Sequence, residues 1–309
     1  MDICVAIDHK RRIFRSILYI PYASLLALLL SSPLTAKTQI TAFLGHSSEL
    51  EQEQQNPTKF KSRLYALELI KQKQADDTTF SFSYHYTPIS WPIQNIANNG
   101  HLHRLSMGFA PRFQKMTDNT ILLIEPGIAV SSNRLKHSKF SGSSFFLHTS
   151  FRHLVAIQPY QLIFGFFNND SRGKNQLLPL LGIQQSTGDY QWEISTEQLF
   201  FNYKLATQNP SDSRPFIKAG LKRAGRRWDV LDKTLEIDST VRYQSYYFFT
   251  QYFYPLEEGK TRESFLSYLF IEIGTHFEQN FQALTTDLTV KEFSTNSTLT
   301  MNTGITLSF

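Results

Sequence analysis

His148 and Ser150 stand two residues apart in "FFLHTSFRH". A histidine beside a serine can act as general base for a hydroxyl nucleophile. On a strand, spacing of two puts both side chains on one face, with Phe145, Leu147 and Phe151 on the other. No third residue is evident to orient the imidazole. His101 and His103 repeat the same spacing. Two imidazoles can reach one metal, but no carboxylate or further histidine follows at a ligand distance, so no metal site and no cofactor are expected. A third constellation is basic. Arg214, Lys218, Lys222, Arg223, Arg226 and Arg227 follow one another with no acid before Asp229. Ile217, Ala219 and Leu221 mark an apolar face, so Lys218 and Lys222 share the opposite one, with Arg226 in line if the strand continues. Such a stripe favours anions in a pore or phosphates at a rim. The alternative is a polar interior neutralised by acids such as Glu193, Glu197 and Glu272.

The elements that carry these residues are strands. The chain has 309 residues, of which 14% are aromatic and only 18% charged. Aromatics favour strands, and the charged share falls below the roughly 25% of soluble domains. "TTFSFSYHYT" sets Phe80, Phe82, Tyr84 and Tyr86 against Ser81, Ser83 and His85. "YQWEIS" and "FLSYLFIEIGTHF" alternate in the same way. Many such segments are about ten residues long, the length of a tilted strand crossing a bilayer. Turn-forming clusters such as "NNDSRGKN", "STGD" and "EEGK" separate them. The pattern predicts an all-β, antiparallel up-and-down transmembrane β-barrel of about 12 strands, with 10–14 allowed. "KFKSRLYALELIKQKQ" (59–74) alternates poorly and is open to two assignments, an interfacial helix or a strand with extramembrane ends.

The N-terminus has a basic stretch, "HKRRIFR", then the apolar "ILYIPYASLLALLL", then "SSPLTA". The apolar run is too short to span a bilayer as a helix. It is expected to be a secretory leader over residues 1–36, cleaved after Ala36, which leaves 37–309 as a single barrel domain. Cys4, the sole cysteine, would leave with it, and the mature chain would hold neither disulfide nor thiol nucleophile. Four bases and two acids also leave, so the formal charge falls from +5 to +3. That excess argues against nucleic acid as a partner.

The chain closes on "TLTMNTGITLSF". Leu299, Met301, Ile305, Leu307 and Phe309 share one parity, and polar residues and Gly304 fill the other. This tail resembles the C-terminal assembly signal of Gram-negative outer-membrane β-barrels, with Asn302, Gly304, Leu307 and Phe309 at its defining positions. The resemblance implies export, insertion by the barrel assembly machinery, and contact with outer-membrane lipid and lipopolysaccharide. "LLPLLGIQQSTGDYQWEIS", continued by "QLFFNYKL", is similar to a family of outer-membrane barrels of unknown function, through Pro179, Gly182, Gly188 and Trp192. That family carries a kinked continuation after its Trp strand, and here Thr196–Gln198 replaces the usual proline. The His148–Ser150 pair locally resembles outer-membrane lipid hydrolases, but Phe151 stands where their pattern has asparagine.

The expected function is therefore an integral outer-membrane barrel, a small channel or structural surface barrel without enzymatic activity. Two alternatives make different predictions. A lipid hydrolase would lose activity on Ser150→Ala. A soluble periplasmic β-sandwich or lipid carrier would extract without detergent.

Overall fold

The computed structural model describes residues 36–51, 59–73, 78–87, 101–111, 120–138, 140–206, 214–231, 238–256, 267–285 and 290–308. Apart from Ala36, the expected leader lies outside them, as does Phe309. The strands are β1 (Ala36–Glu51), β2 (Lys59–Lys73), β3 (Thr78–Thr87), β4 (Leu102–Ala110), β5 (Thr120–Ser131), β6 (Phe145–Ile157), β7 (Tyr160–Asn169), β8 (Gln176–Ser186), β9 (Tyr190–Ser195), β10 (Gln198–Lys204), β11 (Phe216–Arg223), β12 (Arg226–Leu231), β13 (Asp238–Leu256), β14 (Ser267–Thr285), β15 (Val290–Thr295) and β16 (Thr298–Ser308). One short helix, α1 (Ser132–His137), and a 3-10 turn (Gly142–Ser144) separate β5 from β6.

Neighbouring strands pair antiparallel and the sheet closes on itself. The tighter circuit runs β5–β4–β3–β2–β1–β16–β14–β13–β12, nine strands, and returns to β5 through one parallel bridge, Asp229 to Val130. The other strands stand outside that ring. Of these, β6 to β11 also link β5 to β13, so a wider circuit of fourteen strands encloses them. Neither circuit has the expected twelve. One reason is that two strands are broken. β11 and β12 both pair with β13, and a reciprocal pair of backbone bonds between Ala224 and Ser245 bridges their break. β15 and β16 likewise share β14. The open assignment at 59–74 resolves as a strand, because β2 lies between β1 and β3 and is paired on both edges. The Trp-bearing strand does not kink onward. The chain reverses at residues 196–197, where Ser195 Oγ accepts from Gln198 N, and β10 pairs back on β9.

Alternation decides which way each face points. The outward parity carries Phe80, Met107, Phe109, Leu147, Phe164, Leu181, Ile194, Phe201, Phe248, Ile271, Ile273, Leu299 and Met301, all exposed. The inward parity carries Arg104, Ser106, Glu193, Glu272 and Thr306, all buried. Soluble proteins arrange these classes the other way. A band of large apolar side chains around a polar interior is the pattern of a barrel in lipid. Pro179 interrupts no ladder bond on the β9 side, because β9 pairs only with Gly182–Ser186 and leaves Pro179 in a stretch that pairs with β7 alone.

The interior also has apolar parts. Leu102, Ala129, Phe146, Trp228, Val230, Val241, Phe281 and Ala283 pack together where β12 approaches β5, with Tyr243 against them. α1 seals that approach from the side. Ser131 caps it, accepting from Arg134 N, and the same hydroxyl accepts from Leu231 N on β12. The Arg134 guanidinium donates to Asp229 at 2.6 Å and to Asp238 at 2.8 Å. Ser141 and Ser144 hydroxyls satisfy the other Asp229 oxygen. A buried carboxylate needs this many donors to remain ionised out of water.

Candidate functional site

Three polar clusters line the interior. The first joins β4, β6 and the turn after β7. Arg104 grips Asp170 with two bonds, at 2.7 and 3.1 Å, and its guanidinium stacks 3.7 Å above the Phe146 ring. His148 Nε2 lies 2.9 Å from the same carboxylate and 3.1 Å from Arg104. The backbone N–H of Arg227 on β12 donates to Asp170 at 3.2 Å. Asp170 lies past the end of β7, so these bonds tie the β7–β8 turn across to β4 and β12. Burial alone would raise its carboxyl pKa. The His148 bond and the Arg104 charge outweigh that and hold it well below the ordinary carboxylate range.

The second cluster joins β6 to β9. Arg152 clamps Glu193 with two bonds of 3.0 Å, and Ser195 adds a third donor. The third centres on Glu272 of β14, which accepts from Tyr247 and Gln251 of β13 and from Asn302 of β16. All three carboxylates are almost wholly buried, and each is matched by donors from at least one other strand.

The basic stripe lies where its parity predicts. Lys218 and Lys222 share the inward parity of β11, opposite Gln251 and Tyr247 on β13. Strand pairing resumes after Gly225, and Arg226 pairs with Tyr243 on the same parity, so the three fall in line. Aromatic rings flank the ammonium groups. Lys218 Nζ lies 5.4 Å from the Phe200 ring, and Lys222 Nζ lies 5.2 Å from Phe249 and 5.9 Å from Tyr247.

His148 and Ser150 do face inward, away from Leu147 and Phe151. Among the described residues no hydrogen bond joins them, and His148 Nε2 lies against the Asp170 carboxylate instead. His101 and His103 do not converge on a metal position. His103 takes the Tyr84 hydroxyl at one ring nitrogen and the Ser132 hydroxyl at the other, while the His101 ring lies tilted against Tyr86, with centroids 5.1 Å apart. No group of three metal-ligating side chains lies among the described residues.

The closing strand shows what its residue types do. Asn302 faces inward onto Glu272. Gly304 sits between β1 and β14, paired with Phe43 and Phe270. A β-carbon there would come within 2.5 Å of the Ala42 carbonyl and of the Phe270 ring, so only glycine lets the ring lie across the strand. Leu307 lies opposite Ile40 on β1.

Glu193 is among the acids expected inside; the residues that alternation does not single out are its partner Arg152 and the pair Arg104 and Asp170. Asp170 lies inside a run of turn formers, and its partner Arg104 is 66 residues away in the chain. Only the inward parity of Arg104, Arg152 and Glu193 hinted at pairing.

No family model matches this chain, and no curated protein does. Solved structures do. OccAB3 of Acinetobacter baumannii is similar at 9% identity, covering 89% of this chain and 99% of that one, with a TM-score of 0.33. A mutant of TodX, a monoaromatic hydrocarbon channel, is similar at 11% identity over 91% of this chain and 92% of that one, also at 0.33. The COG4313 outer membrane channel of Pseudomonas putida F1 is similar at 10% identity over 90% and 97%, at 0.30.

Proposed function

We propose that this chain is an integral β-barrel of a Gram-negative outer membrane, exported through a cleaved leader, and that it acts as a small channel or structural surface barrel without enzymatic activity. One observation carries this. The closed sheet turns its large apolar side chains outward and buries its ion pairs inside. Only a lipid surround makes that inversion stable, because in water the outward band would be a large contiguous apolar patch. No described helix is long and apolar enough to cross a membrane. Assembly at the C-terminal strand by the barrel assembly machinery and contact with lipid and lipopolysaccharide belong to the same proposal.

Fractionation tests it. The protein should stay in the membrane after alkaline washing, require detergent, and migrate faster unheated than boiled on a gel. Release without detergent would overturn the proposal. The lumenal cations add a finer expectation. Lys218, Lys222 and Arg226 along one interior face favour anions in any conducting path. Lys218→Glu with Lys222→Glu should then shift a planar-bilayer reversal potential toward cations, and an unchanged potential would remove the anion-favouring role.

A further inference from the structure

The turn between β7 and β8 does more than connect them. From Asp170 it crosses the face of β12 and β13 opposite the lumenal one. Two glycines allow the approach. A β-carbon on Gly225 would meet the Ser171 carbonyl oxygen at 2.1 Å. A β-carbon on Gly173 would lie 3.3 Å from the Arg242 β-carbon, and Gly173 itself takes a left-handed φ of +72°. Arg172 falls between these two contact points. Beneath the turn, Arg227 of β12 stands directly opposite Arg242 of β13. Like charges in that position repel.

Among the described residues, only the more distant carboxylates Asp170 and Asp229 offset this repulsion at Arg227. Among the described residues, no carboxylate forms an ion pair with Arg172, Arg227 or Arg242. The two nearby acids are committed elsewhere, Asp170 to Arg104 and His148, Asp229 to Arg134, Ser141 and Ser144. The Nε–H groups of Arg172 and Arg242 are buried without an acceptor. Arg227 uses one terminal nitrogen on the Phe145 carbonyl. Two like charges face each other across β12 and β13, a third arginine lies on the turn that touches β13 at Gly173, and two of the three keep buried Nε–H donors unmet, a set that calls for an anion with more than one charge and several acceptor oxygens.

We propose that Arg172, Arg227 and Arg242 form a phosphate-binding cradle, with the β7–β8 turn as its lid. A phosphate group supplies two negative charges and oxygens in the geometry of the guanidinium fork. A single carboxylate would leave most of the positive charge uncompensated. The site rests on the barrel proposal for its place at the membrane rim, where two sources of phosphate exist, a lipid headgroup and a free phosphorylated solute.

The test uses full-length protein refolded without lipopolysaccharide, its barrel state checked first by heat-modifiable migration. That check addresses the barrel proposal, and the phosphate response addresses the cradle. The unfolding temperature is followed with pyrophosphate at constant ionic strength, and in phosphatidylcholine vesicles with or without lipid A. Stabilisation by pyrophosphate supports a free-solute site, and stabilisation by lipid A alone supports a headgroup site. In either case Arg242→Gln and Arg172→Gln should raise the half-saturating concentration about 10- to 100-fold, the loss expected for a charge-assisted bond. Lys136→Gln, on α1, should leave it unchanged. Absence of stabilisation by both ligands, or a half-saturating concentration in both cradle variants unchanged from wild type, overturns the cradle. Should Arg242→Gln not form a barrel, Arg172→Gln, on the turn, decides alone.

Discussion

Asp170→Asn is the most discriminating single substitution. The side chains of Arg104 and Asp170 are 8% and 3% exposed. The carboxylate serves four donors, two from Arg104 and one each from His148 and the Arg227 backbone. An asparagine side chain has one oxygen and no charge, so Arg104 keeps at most part of its grip and becomes a buried, incompletely paired cation. Breaking a buried pair in this way costs about 3–5 kcal/mol, a factor of about 10² to 10⁴ in the folding equilibrium. Asp189→Asn is the control. Its partner Arg214 lies 3.0 Å away, but the pair is 38% and 59% exposed, and such pairs contribute about 1 kcal/mol or less. Guanidinium unfolding from lipid vesicles measures both. Trp228, in the apolar cluster beside the turn, provides the fluorescence. If the two variants fall within about 1 kcal/mol of each other at equal slope, the buried cluster does not anchor the β7–β8 turn. The pH dependence has a definite sign. Asp170 titrates lower folded than unfolded, so its contribution is complete above an unfolded value of about 3.9 and fades as pH falls below it. The gap between wild type and Asp170→Asn should therefore be full at pH 7 and shrink below about pH 4.

Gly304→Val should reduce the folded fraction on a heat-modifiability gel, because its side chain meets the Ala42 backbone and cannot displace it, whereas Gly188→Ala, with no atom within 4 Å, should be silent. Ile271→Arg sets a charge on the lipid face of β14, where a cost of about 2–4 kcal/mol near the midplane is expected in the same vesicle unfolding assay. Deletion of Phe309 should lower the yield of membrane-inserted barrel while leaving export intact, measured as the ratio of membrane-bound to periplasmic protein.

Faces were legible in the sequence, and pairings were not. The parity of "TLTMNTGITLSF" assigned Leu299 and Met301 outward and Asn302 and Gly304 inward, because period two is a local property of the chain. The same logic aligned Lys218, Lys222 and Arg226. The strand number was not legible, because a break in a ladder depends on both neighbours. β11 and β12 count as one strand along β13 and as two along the other edge, where β10 gives way to β5. Residues 59–74 illustrate the converse. Their composition suits a helix, yet β1 and β3 offer partners on both edges, and pairing overrides propensity. The pairing of Arg104 with Asp170 escaped, since a turn residue has no periodicity to betray its partner.

The two circuits also explain why charge concentrates at this turn. Where the chain passes from β11, paired with β10, to β12, bridged to β5, the wall of β6 to β11 parts from the tighter ring, and side chains close the junction beside the single bridge. Apolar residues alone cannot do this, because the start of β6 brings the Phe145 carbonyl to the same place, and a backbone carbonyl needs a donor. Charged side chains reach farther and satisfy such groups. Arg227 donates to the Phe145 carbonyl, and Asp170 accepts from the Arg227 N–H. Each such anchor brings a charge that must itself be matched. Asp170 and Asp229 are matched within the chain by Arg104, His148 and Arg134. Among the described residues no carboxylate forms an ion pair with Arg172, Arg227 or Arg242, so their positive charge is a consequence of how the junction is built, and the proposed phosphate would neutralise it.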